Sequence, residues 1–201
     1  MNLPALAIWA VVGFAVGAIP FGVLVSRAFF GTDLRREGSG NIGAANALRT
    51  LGKRGAAAVL ALDALKGFAP TLAAGFAAGP IAAAVAGLAA VAGHCWSPFL
   101  GLRGGKGVAT LFGSLFALWW PAGCAFTAVW IATAAASGYA SLASIVAALA
   151  MVPVLWFGLG TPGMIYGLIG AVLVLVRHRE NIERLRVGTE NRLSLLKAKR
   201  T

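Results

Sequence analysis

Three short stretches of this chain carry residue types that could bind or transfer a charged group. The first is Gly38-Ser39-Gly40-Asn41-Ile42-Gly43-Ala44-Ala45-Asn46, with Arg49 following. Glycines let successive backbone N–H groups point into one concavity, and Ser39, Asn41 and Asn46 add side-chain donors, a combination that suits a phosphate. Gly38, Gly40 and Gly43 also match G-x-G-x-x-G. That fingerprint needs a preceding strand and a βαβ unit, whereas here a charged loop follows an apolar helix, so no dinucleotide site is inferred. A polar turn between helices is the alternative reading.

The second stretch, Gly93-His94-Cys95-Trp96-Ser97-Pro98-Phe99-Leu100-Gly101-Leu102-Arg103-Gly104-Gly105-Lys106-Gly107, is not a Walker A loop. Leu100 stands where its first glycine would fall, and Gly107 stands where Ser or Thr should follow the lysine. A glycine run that ends in Lys106 and opens into an apolar helix still offers free N–H groups, a helix dipole and a cation together. A loop holding topology-setting cations would not require three glycines around one lysine, so the phosphate reading is preferred.

The third stretch is Arg177-His178-Arg179-Glu180-Asn181-Ile182-Glu183-Arg184, continued by Gly188-Thr189-Glu190-Asn191-Arg192. If the last helix runs on through it, His178 and Asn181 share a face that could address a ligand, and Arg177 and Arg179 point elsewhere. Lys197, Lys199 and Arg200 need no more than attraction to anionic lipid. Asp63 and Lys66 fall inside an apolar helix, three apart, and must face the protein interior, as a line of a site or a lock between helices. Ser141 and Ser144 begin another helix, where a capping role suits one of them. Cys95 and Cys124 are read as packing residues, and without a CxxC or a His/Cys cluster no metal site is expected.

Long apolar segments must position these stretches. The 201 residues are 59% hydrophobic and only 11% charged, with mean hydropathy +0.84, too few charges to cover a soluble globule. The net charge of +11 needs no nucleic-acid partner, because cations collect on the cytoplasmic flanks of membrane helices. Residues 3–26 are read as a retained helix and not as a cleaved signal peptide. If every basic island marks the cytoplasmic face, the number of crossings between islands is even. Two helices fit between Gly55 and Gly101, broken near Ala78-Gly79-Pro80. Four fit between Gly107 and Val176, interrupted at Pro121, at Ser137-Gly138 and at Gly158 to Gly163. The expected fold is therefore an all-α integral membrane protein, a compact bundle of seven transmembrane helices with the N-terminus outside and the C-terminus cytoplasmic. It forms one domain over 1–201 whose cytoplasmic loops are about 27–55, 94–107 and 177–201. Ser39, Lys106 and His178 are expected to converge on one leaflet. A transporter would concentrate polar groups near the bilayer midplane, and a mere scaffold would leave the glycine–lysine loop unexplained.

At Ser39 to Asn46, at Gly101 to Thr110 and at His178 to Ile182, in matching order and spacing over nearly the whole length, the chain resembles the bacterial acyl-phosphate:glycerol-3-phosphate acyltransferases, the PlsY family. The resemblance implies a plasma-membrane enzyme moving a fatty acyl group from acyl phosphate to the sn-1 hydroxyl of glycerol 3-phosphate. The products would be lysophosphatidate and phosphate. It implies Ser39, Lys106, His178 and Asn181 as catalytic residues. Ser39, Gly40, Asn41 and Gly43 would meet one phosphate or the developing oxyanion, and Arg49, Lys106, His178 and Asn181 would mainly hold glycerol 3-phosphate. Asn46, Arg103, Gly104, Gly105, Gly107 and Ser141 complete the expected binding set. Membrane lipids are the further partners; no cofactor is implied, and the oligomeric state is left open, a monomer among the alternatives. The His-x4-Asp signature of the soluble-type glycerolipid acyltransferases is absent, since His178 meets Glu183 at that spacing and His94 meets Phe99.

Overall fold

A computed structural model describes residues 2–193, and every regular element within them is helical. Lys197, Lys199 and Arg200 lie outside the described residues. The chain divides into two compact units, Met1–Gly123 and Cys124–Thr201.

The first unit begins with α1 (Leu3–Ala18), capped by the Asn2 side chain, which accepts the Ala5 N–H. The expected unbroken helix over 3–26 is interrupted. Ile19 leaves helical geometry at ψ 121°, because Pro20 disfavours the helical region for the residue before it. α2 (Phe21–Phe30) then resumes and closes on Gly31 in the left-handed region. After a 3₁₀ turn at Leu34–Arg36 and the short α3 (Ala44–Thr50), α4 (Gly52–Ala78) forms a long span containing Pro70. It stops where the sequence signals a stop. Gly79 adopts φ 86° and ψ −178°, which only glycine reaches without strain, and Pro80 opens α5 (Pro80–Cys95) at a position that needs no N–H. α6 (Val108–Leu118) ends at Trp119, two residues before Pro121, since the proline is accommodated in the first turn of α7 (Trp120–Ser137).

Close backbone approach holds this unit together. A methyl added at Gly13 or Gly17 of α1 would overlap the backbone of Ala86 or Ala90 in α5, and one at Gly93 would overlap Phe14. Gly67 of α4 meets the Thr110 backbone of α6, and Gly113 of α6 meets Ala64 of α4. In lipid, where burying an apolar surface drives nothing, such small-residue contacts let dispersion and backbone approach do the work. Leu6 and Trp9 pack over the buried Ala74, Ala82 and Ala86, and Val25, Leu34, Ala47 and Val59 form a second cluster beneath the first charged loop.

In the second unit α7 ends at Ser137, Gly138 turns at φ 77°, and α8 (Ala140–Arg177) follows. α8 is not one rod. Gly160 has φ 67° and ψ −155°, and beyond it Gly163 packs on Leu155 while Gly167 packs on Met151 and Val152, so the second arm folds back along the first. The interruption expected between Gly158 and Gly163 is this reversal. Trp130 donates to Ser144 Oγ at 3.1 Å and ties α7 to the first arm. A short α9 (Arg179–Arg186) closes the unit.

Among the described residues, four stretches are long and apolar enough to cross a bilayer: Leu3–Phe30, Gly52–Ala78, Pro80–Leu100 and Ala140–Arg177, the last being the hairpin. Gly113→Ala should lower the thermal-unfolding midpoint in detergent, through an overpacking cost of about 1–3 kcal/mol. Gly75→Ala, whose added methyl would stand 3.5 Å from Ala83 Cβ, should leave the midpoint unchanged or raise it. Equal midpoints for the two variants would refute the close-contact account.

Candidate functional site

In the first unit the Ser39 loop is organised from within. Asp33 binds the Arg35 backbone and guanidinium and takes Arg27 Nη2 at 2.7 Å. The Arg35 hydrogen bond, with Arg27 in support, outweighs burial and holds the Asp33 carboxyl well below the usual carboxylate range. Gly38 and Gly40 turn at φ 57° and 70°. The backbone N–H groups here do not all face outward, contrary to the simple cradle expected. Ser39 N–H donates to Asn46 Oδ1 at 2.9 Å, Gly40 N–H to Glu37 O, and Gly43 N–H to Asn41 Oδ1 at 2.9 Å. Asn46 is buried and its amide also donates to the carbonyls of Leu34 and Glu37, so its side chain is spent on the loop. What the loop presents is therefore side-chain chemistry. Ser39 is exposed and its Oγ accepts from Arg49 Nη2 at 3.3 Å, Asn41 is half-buried, and Gly22 below admits the Ile42 carbonyl.

The glycine–lysine loop leans on the end of α5. Gly104 N–H donates to Cys95 O at 3.1 Å and Gly105 N–H to His94 O at 3.0 Å. A methyl at 104 would overlap His94 O, one at 105 would overlap the His94 ring, and one at 107 would stand 2.9 Å from Val91 Cγ1 and 3.0 Å from Cys95 Sγ. Packing thus disfavours any side chain at 104 and 105, and at 107 the left-handed backbone adds to the close Val91 and Cys95 contacts. The start of the next helix lies one step later. Gly107, at φ 79°, caps α6 without any side-chain bond to the first-turn N–H groups, with the half-buried Lys106 immediately before it and the exposed Arg103 further out.

In the second unit the helix does not run unbroken through His178. Its φ of −101° separates α8 from α9, yet His178 and Asn181 are both buried. His178 Nδ1 lies 2.8 Å from the Val174 carbonyl, which can only accept, so Nδ1 carries a proton. The hairpin of α8 brings Ser141 to this end. Ser141 Oγ and Asn181 Nδ2 donate to Glu190 Oε1 at 2.9 and 2.6 Å, and Arg184 Nε donates to Oε2 at 2.8 Å. Glu190, named in the sequence but given no role there, is the centre of this cluster; its partners lie too far along the chain for spacing to reveal them. Burial raises its pKa, but the bonds from Asn181, Arg184 and Ser141, with the Arg184 charge, outweigh burial and the net shift is downward. The cluster's contribution is therefore complete above the ordinary value of 4.5 and is lost as pH falls through the lower folded value. Glu190→Gln should cost roughly 2 kcal/mol near neutrality, with the gap in thermal midpoint between variant and parent closing as pH is lowered below 4.5. A gap that is independent of pH would contradict this assignment.

Neither cysteine forms a disulfide; Cys95 is buried and Cys124 exposed. Among the described residues no group of three or more His, Cys, Asp or Glu is arranged to hold a metal.

Residues 7–188 match the family model for glycerol-3-phosphate acyltransferases. The glycerol-3-phosphate acyltransferase of Cereibacter sphaeroides is 47% identical over 193 residues, covering 96% of this chain and 91% of that protein. That of Rubrobacter xylanophilus is 47% identical over 182 residues, covering 90% and 91%. Among solved structures, the glycerol 3-phosphate form of PlsY, an integral membrane glycerol 3-phosphate acyltransferase, superposes with a TM-score of 0.89 at 36% identity over 96% of this chain and 97% of that one. Its lysophosphatidic acid form gives 0.86 at 35% identity, over 93% and 94%. With the motifs of both units inside the matched span, the chain belongs to the glycerol-3-phosphate acyltransferase family.

Proposed function

We propose that this chain transfers a fatty acyl group from acyl phosphate to the sn-1 hydroxyl of glycerol 3-phosphate, releasing 1-acylglycerol 3-phosphate and inorganic phosphate. The observation that carries the reading is the α6 N-terminus, opened by Gly107 with no side-chain cap behind Lys106. Uncapped N–H groups, the positive end of a helix dipole and an ammonium together match a phosphate dianion. The related structures named for glycerol 3-phosphate and lysophosphatidic acid forms agree with one as substrate and the other as product.

In the proposed reaction the sn-1 oxygen attacks the acyl carbonyl carbon, the bond from that carbon to the phosphate oxygen breaks, and phosphate leaves with the electron pair. An acyl phosphate is a mixed anhydride whose leaving group is already a stable anion, so positioning and charge stabilisation supply most of the rate without a covalent enzyme intermediate. Ser39 Oγ, which accepts from Arg49 and keeps its own proton to donate, and the Asn41 amide are assigned to the donor phosphate or the carbonyl oxyanion, with Gly40 and Gly43 shaping their loop. Asn46 holds that loop. Lys106 and the α6 N-terminus, with Arg49 and Arg103, take the phosphate of glycerol 3-phosphate, while Gly104, Gly105 and Gly107 fix their approach. His178 Nε2 and Asn181, the latter held by the Ser141–Glu190–Arg184 cluster, orient the glycerol. Both units of the chain, 1–201, serve this one reaction. The hydroxyl proton passes to a substrate phosphate, not to His178.

Purified protein given acyl phosphate and glycerol 3-phosphate, with neither coenzyme A nor metal, should release phosphate; a folded sample that releases none would sink the proposal. His178→Gln should keep measurable turnover, with kcat lowered less than about 100-fold and the glycerol 3-phosphate KM raised about tenfold. A general base would instead contribute roughly 10²–10⁴ in rate, so a loss in that range with KM unmoved would make His178 the base.

We further propose seven crossings of the bacterial plasma membrane, with N-terminus outside and the Ser39, Lys106 and His178 segments cytoplasmic. They would be α1 with α2, then α4, α5, α6, α7 and the two arms of α8. The clustering of Lys and Arg on the connecting loops and tail supports this orientation. In a Cys124→Ser background, Ala45→Cys should react with an impermeant maleimide in inverted vesicles and be protected in spheroplasts; the reverse pattern would invert the topology.

A further inference from the structure

Asp63 and Lys66 have no part in the chemistry above, yet each side chain is 1% exposed, with Lys66 Nζ 2.8 Å from Asp63 Oδ1 in mid-span on α4. A buried ion pair is weak evidence for stability, because an apolar pair of similar volume often serves as well or better. Their neighbours supply a reason for them. Lys66 Nζ donates to the Ile19 carbonyl at 2.9 Å, at the break between α1 and α2, and stands 5.8 Å from the Phe21 ring centroid. Ser97 Oγ, just after α5, donates to the Ala18 carbonyl at 2.6 Å, so the same break is fixed to the segment that leads into the glycine–lysine loop.

Asp63 Oδ1 also lies 3.7 Å from His94 Nδ1, a charge–dipole distance and not a hydrogen bond. Apart from the Lys66 ion pair at Oδ1, neither carboxylate oxygen has a hydrogen-bond partner among the described residues, and a buried carboxylate so placed needs an explanation. His94 provides it. Its Nδ1 side faces Asp63, its ring fills the space that a side chain at 105 would take, and its carbonyl accepts the Gly105 N–H. The next residue is Lys106.

We propose that Asp63, Lys66 and His94 are positioning residues: a buried charge relay that orients the His94 ring and backbone, fixes the Gly104–Gly105–Lys106 loop on it, and thereby sets the affinity for the phosphate of glycerol 3-phosphate. This rests on the reading that Lys106 binds that phosphate. Asp63 acts two contacts away from the ligand and touches neither substrate.

Steady-state kinetics with both substrates varied tests it on Asp63→Asn, on the charge-free pair Asp63→Leu/Lys66→Met, and on His94→Asn, each checked for a cooperative unfolding transition. The expected result is a rise of tenfold or more in the KM for glycerol 3-phosphate, with the KM for acyl phosphate within twofold of the parent. A folded Asp63→Leu/Lys66→Met protein whose glycerol 3-phosphate KM stays within twofold would overturn the inference, as would equal damage to both substrates. If that pair does not fold, His94→Asn decides by the same criterion. Loss of fold in all three would mark the cluster as a structural clamp and also count against the proposal. Lys106→Gln separates the two levels. An unchanged glycerol 3-phosphate KM there removes the assignment of Lys106 itself, whereas a raised KM there beside normal values in the Asp63 variants removes only the relay.

Discussion

Helix backbones in the first unit approach until nothing larger than hydrogen fits between them, at Gly13 on Ala86, Gly17 on Ala90, Gly67 on Thr110 and Gly113 on Ala64. These contacts set the spacing of α1, α4, α5 and α6. The spacing in turn determines which polar groups can meet inside the span. Within this packed unit Asp63 of α4 lies 3.7 Å from His94 Nδ1 on α5, and Lys66 donates to the Ile19 carbonyl. A bulkier interface would leave two charges in a low-dielectric interior without their partners, and the cost of that is several times the worth of any one apolar contact.

The two units solve the same problem, holding polar groups at helix ends, by different means. In the first, short-range carbonyls and the Asn46 amide freeze a loop that follows α2, and the packed end of α5 supports the loop before α6. In the second, one carboxylate gathers a hydroxyl, an amide and a guanidinium from residues on α8 and α9. The first arrangement combines uncharged bonds and steric exclusion with the Asp33 ion pairs to Arg27 and Arg35. The second relies on the ionised state of Glu190.

The location of the charged loops, and most breaks between helices, could be read from the residues alone. Charge is expensive in lipid, so its clustering marks the helix ends; Gly79-Pro80, Ser137-Gly138 and Gly160 with Pro162 interrupt helices for backbone reasons that act locally. The break at Ile19-Pro20 escaped notice because apolar residues flank it on both sides and hydropathy does not register the lost N–H. Internal bonding of the Ser39 loop was not legible either. Whether an N–H points at a ligand or at Asn46 depends on where a residue seven positions on is carried by α3. Glycine at 104, 105 and 107 was legible as unusual, but sequence spacing does not reveal that the loop turns back onto His94 and Cys95, which adds a packing reason for it.

That seat on His94 also limits how this loop can evolve. With no room for one more carbon at 104 or 105, small adjustments there are closed to selection, and drift at those two positions meets a wall and not a slope. Tuning of such a segment falls to a residue with space around it, the exposed Leu102. Variation between lineages should accordingly accumulate on the outer edge of the turn while its inner edge stays fixed.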